Sequence, residues 1–210
     1  VVNATINAVN LNFKPDNIFV ESKGVVLSNN IKLNAIIKNN LVPPYVIEDI
    51  DLKLKDLNIN KFTEAIKEFE SDLYRSKENS TTAENIDVSQ LIINNAKINA
   101  DTIQVKNINA EDFSSTLSLN KEMNLDINDF KFKLAEGIVN GSIKYNFPTQ
   151  NANILVHMKN SNAQIMADTL FNIQNQIYGS VTGDVELNCN AKTQESCTKT
   201  LTGNGYFIVE

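Results

Sequence analysis

Making or breaking bonds requires a nucleophile beside a base, two carboxylates of separated acidity, or a metal held by histidine, cysteine and carboxylate. This chain of 210 residues holds few such parts: its only histidine is His157 and its only cysteines are Cys189 and Cys197. No CxxC stands near His157 to complete a zinc site, so His157 is expected as a partly buried strand residue. The acidic clusters are Glu48, Asp49 and Asp51, then Glu111 with Asp112, then Asp126 with Asp129. None has calcium-loop spacing, and each reads as a solvated face or a turn. GxSxG, HExxH, Walker A and GxGxxG patterns are absent. Gly137 with Gly141 and Gly179 with Gly183 recur at a spacing of four within alternating sequence, which marks bends or close packing. The expectation is a protein with no catalytic residue, metal or cofactor, and hence no enzyme.

Cys189 and Cys197 fall in phase with the apolar faces of two stretches that would form a hairpin through Asn190 to Ser196. Paired antiparallel, they would face each other at the separation a disulfide needs. The alternative is two reduced thiols serving as small core residues. A disulfide would fit an oxidising compartment such as the bacterial periplasm.

The elements that carry these residues are predicted to be mainly strands. The clearest alternation is Gly137, Val139, Gly141, Ile143, Tyr145 and Phe147 against Asn140, Ser142, Lys144 and Asn146. A second runs Val181 to Cys189 and a third Leu201 to Val209, with shorter runs at Ile31 to Ile37, Ile50 to Ile59, Phe113 to Leu119 and Phe130 to Leu134. Such alternation belongs to antiparallel sheets with one wet face. Apolar spacing of three and four predicts two covering helices, about 61–77 and 162–176. The fold class is therefore mainly β: a curved antiparallel sheet, a sandwich or a groove of many short strands. We read 1–210 as one domain, with a possible subdivision at the polar stretch near 77–84.

Charge narrows the partners. Nineteen basic against 25 acidic residues give a net charge of −6, and Arg75 is the only arginine, which argues against nucleic acid and against a basic membrane-facing surface. No apolar run reaches the roughly 18 residues of a membrane span, and Val1 does not open a signal peptide, so a soluble chain is expected. Abundant Asn, Ile and Lys share A/T-rich codons, and the glycosylation-like patterns at Asn3, Asn79 and Asn140 follow from that bias.

From Asn85 onward the order of features is distinctive. Asn85-Ile86-Asp87-Val88-Ser89-Gln90-Leu91 opens a series of short strands that continues through Ile98 to Ile108 and Leu134 to Ile143. There follow a helix around Ala167-Asp168-Thr169-Leu170-Phe171, a Gly-x-x-x-Gly strand at Gly179 to Gly183, and a closing Leu201-Thr202-Gly203-Asn204-Gly205-Tyr206-Phe207-Ile208-Val209. This order resembles the C-terminal region of the AsmA family of bacterial envelope proteins, over about 85–210. The resemblance implies a periplasmic β-rich module, part of a longer membrane-anchored protein, tied to outer-membrane biogenesis or to lipid transport between membranes. Its partners would be phospholipid or another acyl lipid and other envelope proteins. The physical counterpart is an amphipathic sheet whose apolar face either fills with its own side chains or forms a trough for acyl chains. Val139, Ile143, Tyr145, Val185, Leu187 and Phe207 would line the trough, or form the core in its absence. A structural or adhesive β-module of a bacterial surface protein is the competing reading.

Overall fold

The computed structural model describes residues 4–26, 29–39, 43–58, 90–105, 108–171, 173 and 176–210. Sustained alternation builds strands, and eleven of them lie in one sheet in chain order. They are β1 (Ala4–Phe13), β2 (Asn17–Val26), β3 (Asn29–Lys38), β4 (Tyr45–Asn58), β5 (Leu91–Val105), β6 (Ile108–Leu119), β7 (Asn124–Leu134), β8 (Gly137–Asn146), β9 (Asn151–Asn162), β10 (Ser180–Asn190) and β11 (Thr202–Val209). Helix α1 (Ala163–Phe171) joins β9 to β10, and α2 (Gln194–Thr200) joins β10 to β11. The chain is mainly β, and the sheet is open, with β1 and β11 at its edges.

One expectation needs correction. Every neighbouring pair is antiparallel except β4 and β5, which run parallel in a constant register from Tyr45 opposite Leu91 to Asn58 opposite Gln104. Alternation fixes the face a side chain takes and is silent about strand direction. At this step polar residues bond to their register partners: Asn94 Nδ2 donates to Glu48 Oε2 at 2.6 Å, Asn95 Nδ2 to Asp49 Oδ1 at 2.5 Å, and Thr102 Oγ1 to Asp56 Oδ1 at 2.6 Å.

The helix expected over 61–77 and the subdivision near 77–84 lie outside the described residues. The one expected over 162–176 forms as α1 and stops at Phe171. Asn162 caps its start by accepting from the Ile165 N–H at 3.2 Å, and past its end the Ile173 N–H donates to the Ala167 carbonyl at 3.1 Å. Ile177 and Tyr178 beyond it are exposed and do not extend the helical stripe. Helix α2 was not expected. Thr193 and Ser196 form its capping box, each hydroxyl accepting from the other residue's backbone N–H.

Among the described residues there is no second sheet and no packed interior. The buried apolar positions are mostly alanines, such as Ala96, Ala100, Ala110 and Ala152, and among the described residues the fully buried side chain is that of the small Ser161. A close-packed core would instead enclose large side chains. The described strands form a single layer.

Candidate functional site

The candidate site is one face of this layer. Cross-strand partners share a face, so the register can be followed from edge to edge. Leu11 lies opposite Val20, Val20 opposite Ala35, Ala35 opposite Ile50 and Ile50 opposite Ala96. Ala96 then meets Leu117, Leu117 meets Ile127, Ile127 meets Ile143, Ile143 meets Ile154, Ile154 meets Leu187 and Leu187 meets Gly203. This unbroken apolar row crosses all eleven strands, a path of roughly 48 Å at about 4.8 Å per strand. The adjacent row runs Phe13, Ile18, Ile37, Ile47, Ile93, Leu119, Leu125, Tyr145, Ala152 and Cys189, and it is equally free of charge.

Irregularities keep these rows in phase. Between Ile47 and Ile50 in β4, and between Ile93 and Ala96 in β5, both strands carry an extra residue at the same level. In β7 the register slips between Ile127 and Phe130, where Asp129 takes φ +50°, so Leu125, Ile127, Phe130 and Phe132 all reach the apolar face.

The six residues expected to line a trough lie together on this face: Val139, Ile143 and Tyr145 on β8, Val185 and Leu187 on β10, and Phe207 on β11. Exposure rises toward the edge, from 3% at Val139 to 59% at Phe207. Ile154, Val156 and Met158 of β9 complete the same surface and were not singled out from sequence, although their alternation with Leu155 and His157 was legible. Gly141 faces Val156, and Gly183, Gly203 and Gly205 occupy equivalent places on β10 and β11. A Cβ on any of the four would come within 2.8 Å of a carbonyl oxygen of the next strand. Backbones thus crowd together on the apolar side, as they must where a sheet bends toward that side.

The opposite face is polar. Lys131 faces Asn140, and Asn140 faces His157, Asp184 and Tyr206 along one row. His157 Nδ1–H donates to Asp184 Oδ1, and Tyr206 O–H donates to Asp184 Oδ2. The Tyr206 and His157 hydrogen bonds hold the Asp184 carboxyl below its usual range, and the carboxylate raises the Tyr206 phenol above its own. His157 is exposed, 56% by side chain, so its expected partial burial is corrected: the odd phase of β9, alternating with Ile154, Val156 and Met158, turns it to the wet face. A shallow concavity of 640 Å³ on this face is lined by asparagines, among them Asn124, Asn146, Asn153 and Asn188. Their amides are engaged with one another: Asn146 donates to Asn124 at 2.7 Å and Asn153 to Asn188 at 2.9 Å.

The acidic clusters do not converge. Glu48 pairs with Lys38 at 3.1 Å, Asp51 with Lys53 at 3.8 Å, and Asp112 with Lys133 at 2.6 Å. Among the described residues no three His, Cys, Asp or Glu side chains gather as metal ligands. Cys189 and Cys197 are joined as a disulfide, with Cα atoms 4.9 Å apart. The partners are not opposed strands of a hairpin, as expected: Cys197 lies on α2, and the bond ties that helix to β10.

No protein family, curated protein or solved structure matches this chain.

Proposed function

We propose that this chain is a non-enzymatic, lipid-handling module of an AsmA-like protein of the bacterial envelope, and that acyl chains lie along its apolar face. One observation carries the reading: an uncharged row crosses eleven strands without interruption, and among the described residues no second layer covers it. Apolar surface left in water is unfavourable by about 25 cal/mol per Å², and each methylene laid against it recovers about 0.8 kcal/mol. The face makes few hydrogen-bonding demands on acyl chains: beyond the Tyr145 hydroxyl and the buried Ser161, whose Oγ donates to the Leu134 carbonyl, its β7 to β11 positions carry apolar side chains and glycine. It would therefore select hydrocarbon and leave the headgroup outside. The disulfide agrees with a periplasmic setting, and the order of features from Asn85 onward supplies the family.

The test uses the 210-residue chain incubated with phosphatidylethanolamine–phosphatidylglycerol vesicles doped with a fluorescent phospholipid, then separated from the vesicles and analysed for bound lipid by fluorescence and native mass spectrometry. The chain should retain lipid. Leu187→Glu, on the face, should lower retention at least tenfold, about 1.4 kcal/mol, while Asn140→Glu, on the wet face, should leave it unchanged. Absence of bound lipid, or equal retention by the Leu187 variant, rejects the proposal.

A further inference from the structure

The row of the wet face that holds His157 continues far beyond it. Lys23 lies opposite Lys32, Lys32 opposite Lys53, Lys53 opposite Asn99 and Asn99 opposite Ser114. Ser114 then meets Lys131, Lys131 meets Asn140 and Asn140 meets His157. From β2 to β9 this row contains no acid, although the chain as a whole is charged −6. It spans roughly 34 Å at about 4.8 Å per strand, and the acid-free run ends at Asp184.

Two features set the row apart from an ordinary solvated face. Like charges directly opposite each other across strands are destabilising, yet Lys23, Lys32 and Lys53 stand side by side on three strands. Glu21 and Asp51 come only to 3.9 and 3.8 Å of the outer two, and among the described residues Lys32 has no ion-pair partner. The other polar groups are uncommitted as well. Among the described residues the side chains of Asn99, Ser114, Lys131 and Asn140 have no hydrogen-bond or ion-pair partner, whereas the asparagines of the concavity bond to one another.

We infer that this row binds a linear acidic polysaccharide laid across the strands. Three ammonium groups in line, with Lys131 beyond them, supply countercharge for repeated anionic groups. Asn99, Ser114 and Asn140 both donate and accept, which is what sugar hydroxyls require. His157, whose Nδ1–H is taken by Asp184, keeps Nε2 as a further acceptor. The row has no aromatic ring before Tyr206, so nucleobases would find nothing to stack on. Successive sugars of an extended glycan advance by close to the spacing between strands, so sugar and strand stay in step. The site lies on the face opposite the apolar row and stands whether or not lipid binds there.

Fluorescence anisotropy of labelled polygalacturonate titrated with the 210-residue chain, at low and at high salt, tests the assignment. Binding should saturate and weaken with salt, and a labelled neutral glucan should not bind. Lys32→Gln should weaken binding about threefold, and the combined Lys23→Gln, Lys32→Gln and Lys53→Gln variant on the order of thirtyfold, the worth of one and of three exposed ion pairs. Lys121→Gln with Lys199→Gln removes charge away from the row and should leave binding unchanged. Lys32→Gln should also raise Tm by about 1–3 °C, because it relieves repulsion between opposed lysines, where loss of a structural contact would lower it. No binding at low salt, equal binding of the neutral glucan, an equal loss in the Lys121 and Lys199 variant, or a lowered Tm for Lys32→Gln overturns the assignment. So does equal or tighter binding of poly-L-glutamate or linear polyphosphate, which carry the charge and lack the hydroxyls.

Discussion

Gly141→Ala separates a flat sheet from one that bends toward its apolar face, because the two geometries predict opposite signs. In a flat strand, alanine for an interior glycine removes an entropic disadvantage and stabilises by about 0.5–1 kcal/mol. In this structure a Cβ at position 141 would sit 1.9 Å from the Leu155 carbonyl oxygen and 2.7 Å from Phe130 Cζ. Real Cβ contacts stay beyond 3.0 Å, so β9 must retreat by more than an ångström, and the first obstacle is backbone. Phe130 is only 7% exposed and has little room to yield. Overpacking of this kind costs about 1–3 kcal/mol, and one strained ladder hydrogen bond adds about 1 kcal/mol. The net expectation is a loss of about 2 kcal/mol. Urea unfolding followed by far-ultraviolet circular dichroism, with the denaturant slope compared between variants, measures it. A Gly141→Ala protein as stable as the parent, or more so, would show that the strands do not close up on the apolar side.

Cys197→Ser should cost about 2.5 kcal/mol, because the bond closes a loop of sequence separation 8. Calorimetry should show a fall of about 5–10 °C in Tm, matched by reductant on the parent and absent on reducing the variant. For Asp184, whose folded pKa is depressed, the stabilising contribution is present above the ordinary carboxylate range and lost as pH falls through the lowered value. Tyr206, with a raised folded pKa, contributes below the ordinary phenol value and loses that contribution as pH rises through the raised one. Carboxyl NMR titration of Tyr206→Phe should move Asp184 upward, and an unmoved Asp184 would disprove the coupling.

The phase of the strands was legible where alternation is unbroken. Gly137 to Tyr145 and Val181 to Cys189 sort onto two faces as read, and the six predicted lining residues come together for that reason. What escaped depends on relations that a period of two does not encode. The parallel step between β4 and β5 is a choice of neighbour, made through contacts such as Asn95 with Asp49 across 46 positions. The doubled polar residues at Glu48-Asp49 and Asn94-Asn95 look like broken alternation in one dimension, yet side by side they preserve the apolar row. The seven residues of α2 are too few to show helical periodicity, so Cys197 read as a strand residue, although Thr193 and Ser196 carried a capping signal. The cysteine partnership was readable because two cysteines so near in sequence have little choice, even when the backbone between them is misjudged.

A sheet one layer thick, with its strands in chain order, has the connectivity of a zipper. Each strand touches mainly the ones before and after it, so stability is close to a sum of neighbour terms. Fraying should begin at the margins and travel inward, and an injury to one margin leaves the far side standing. The same wiring lets strands be added or removed without redesigning a centre, since among the described residues no packed interior has to be rebuilt.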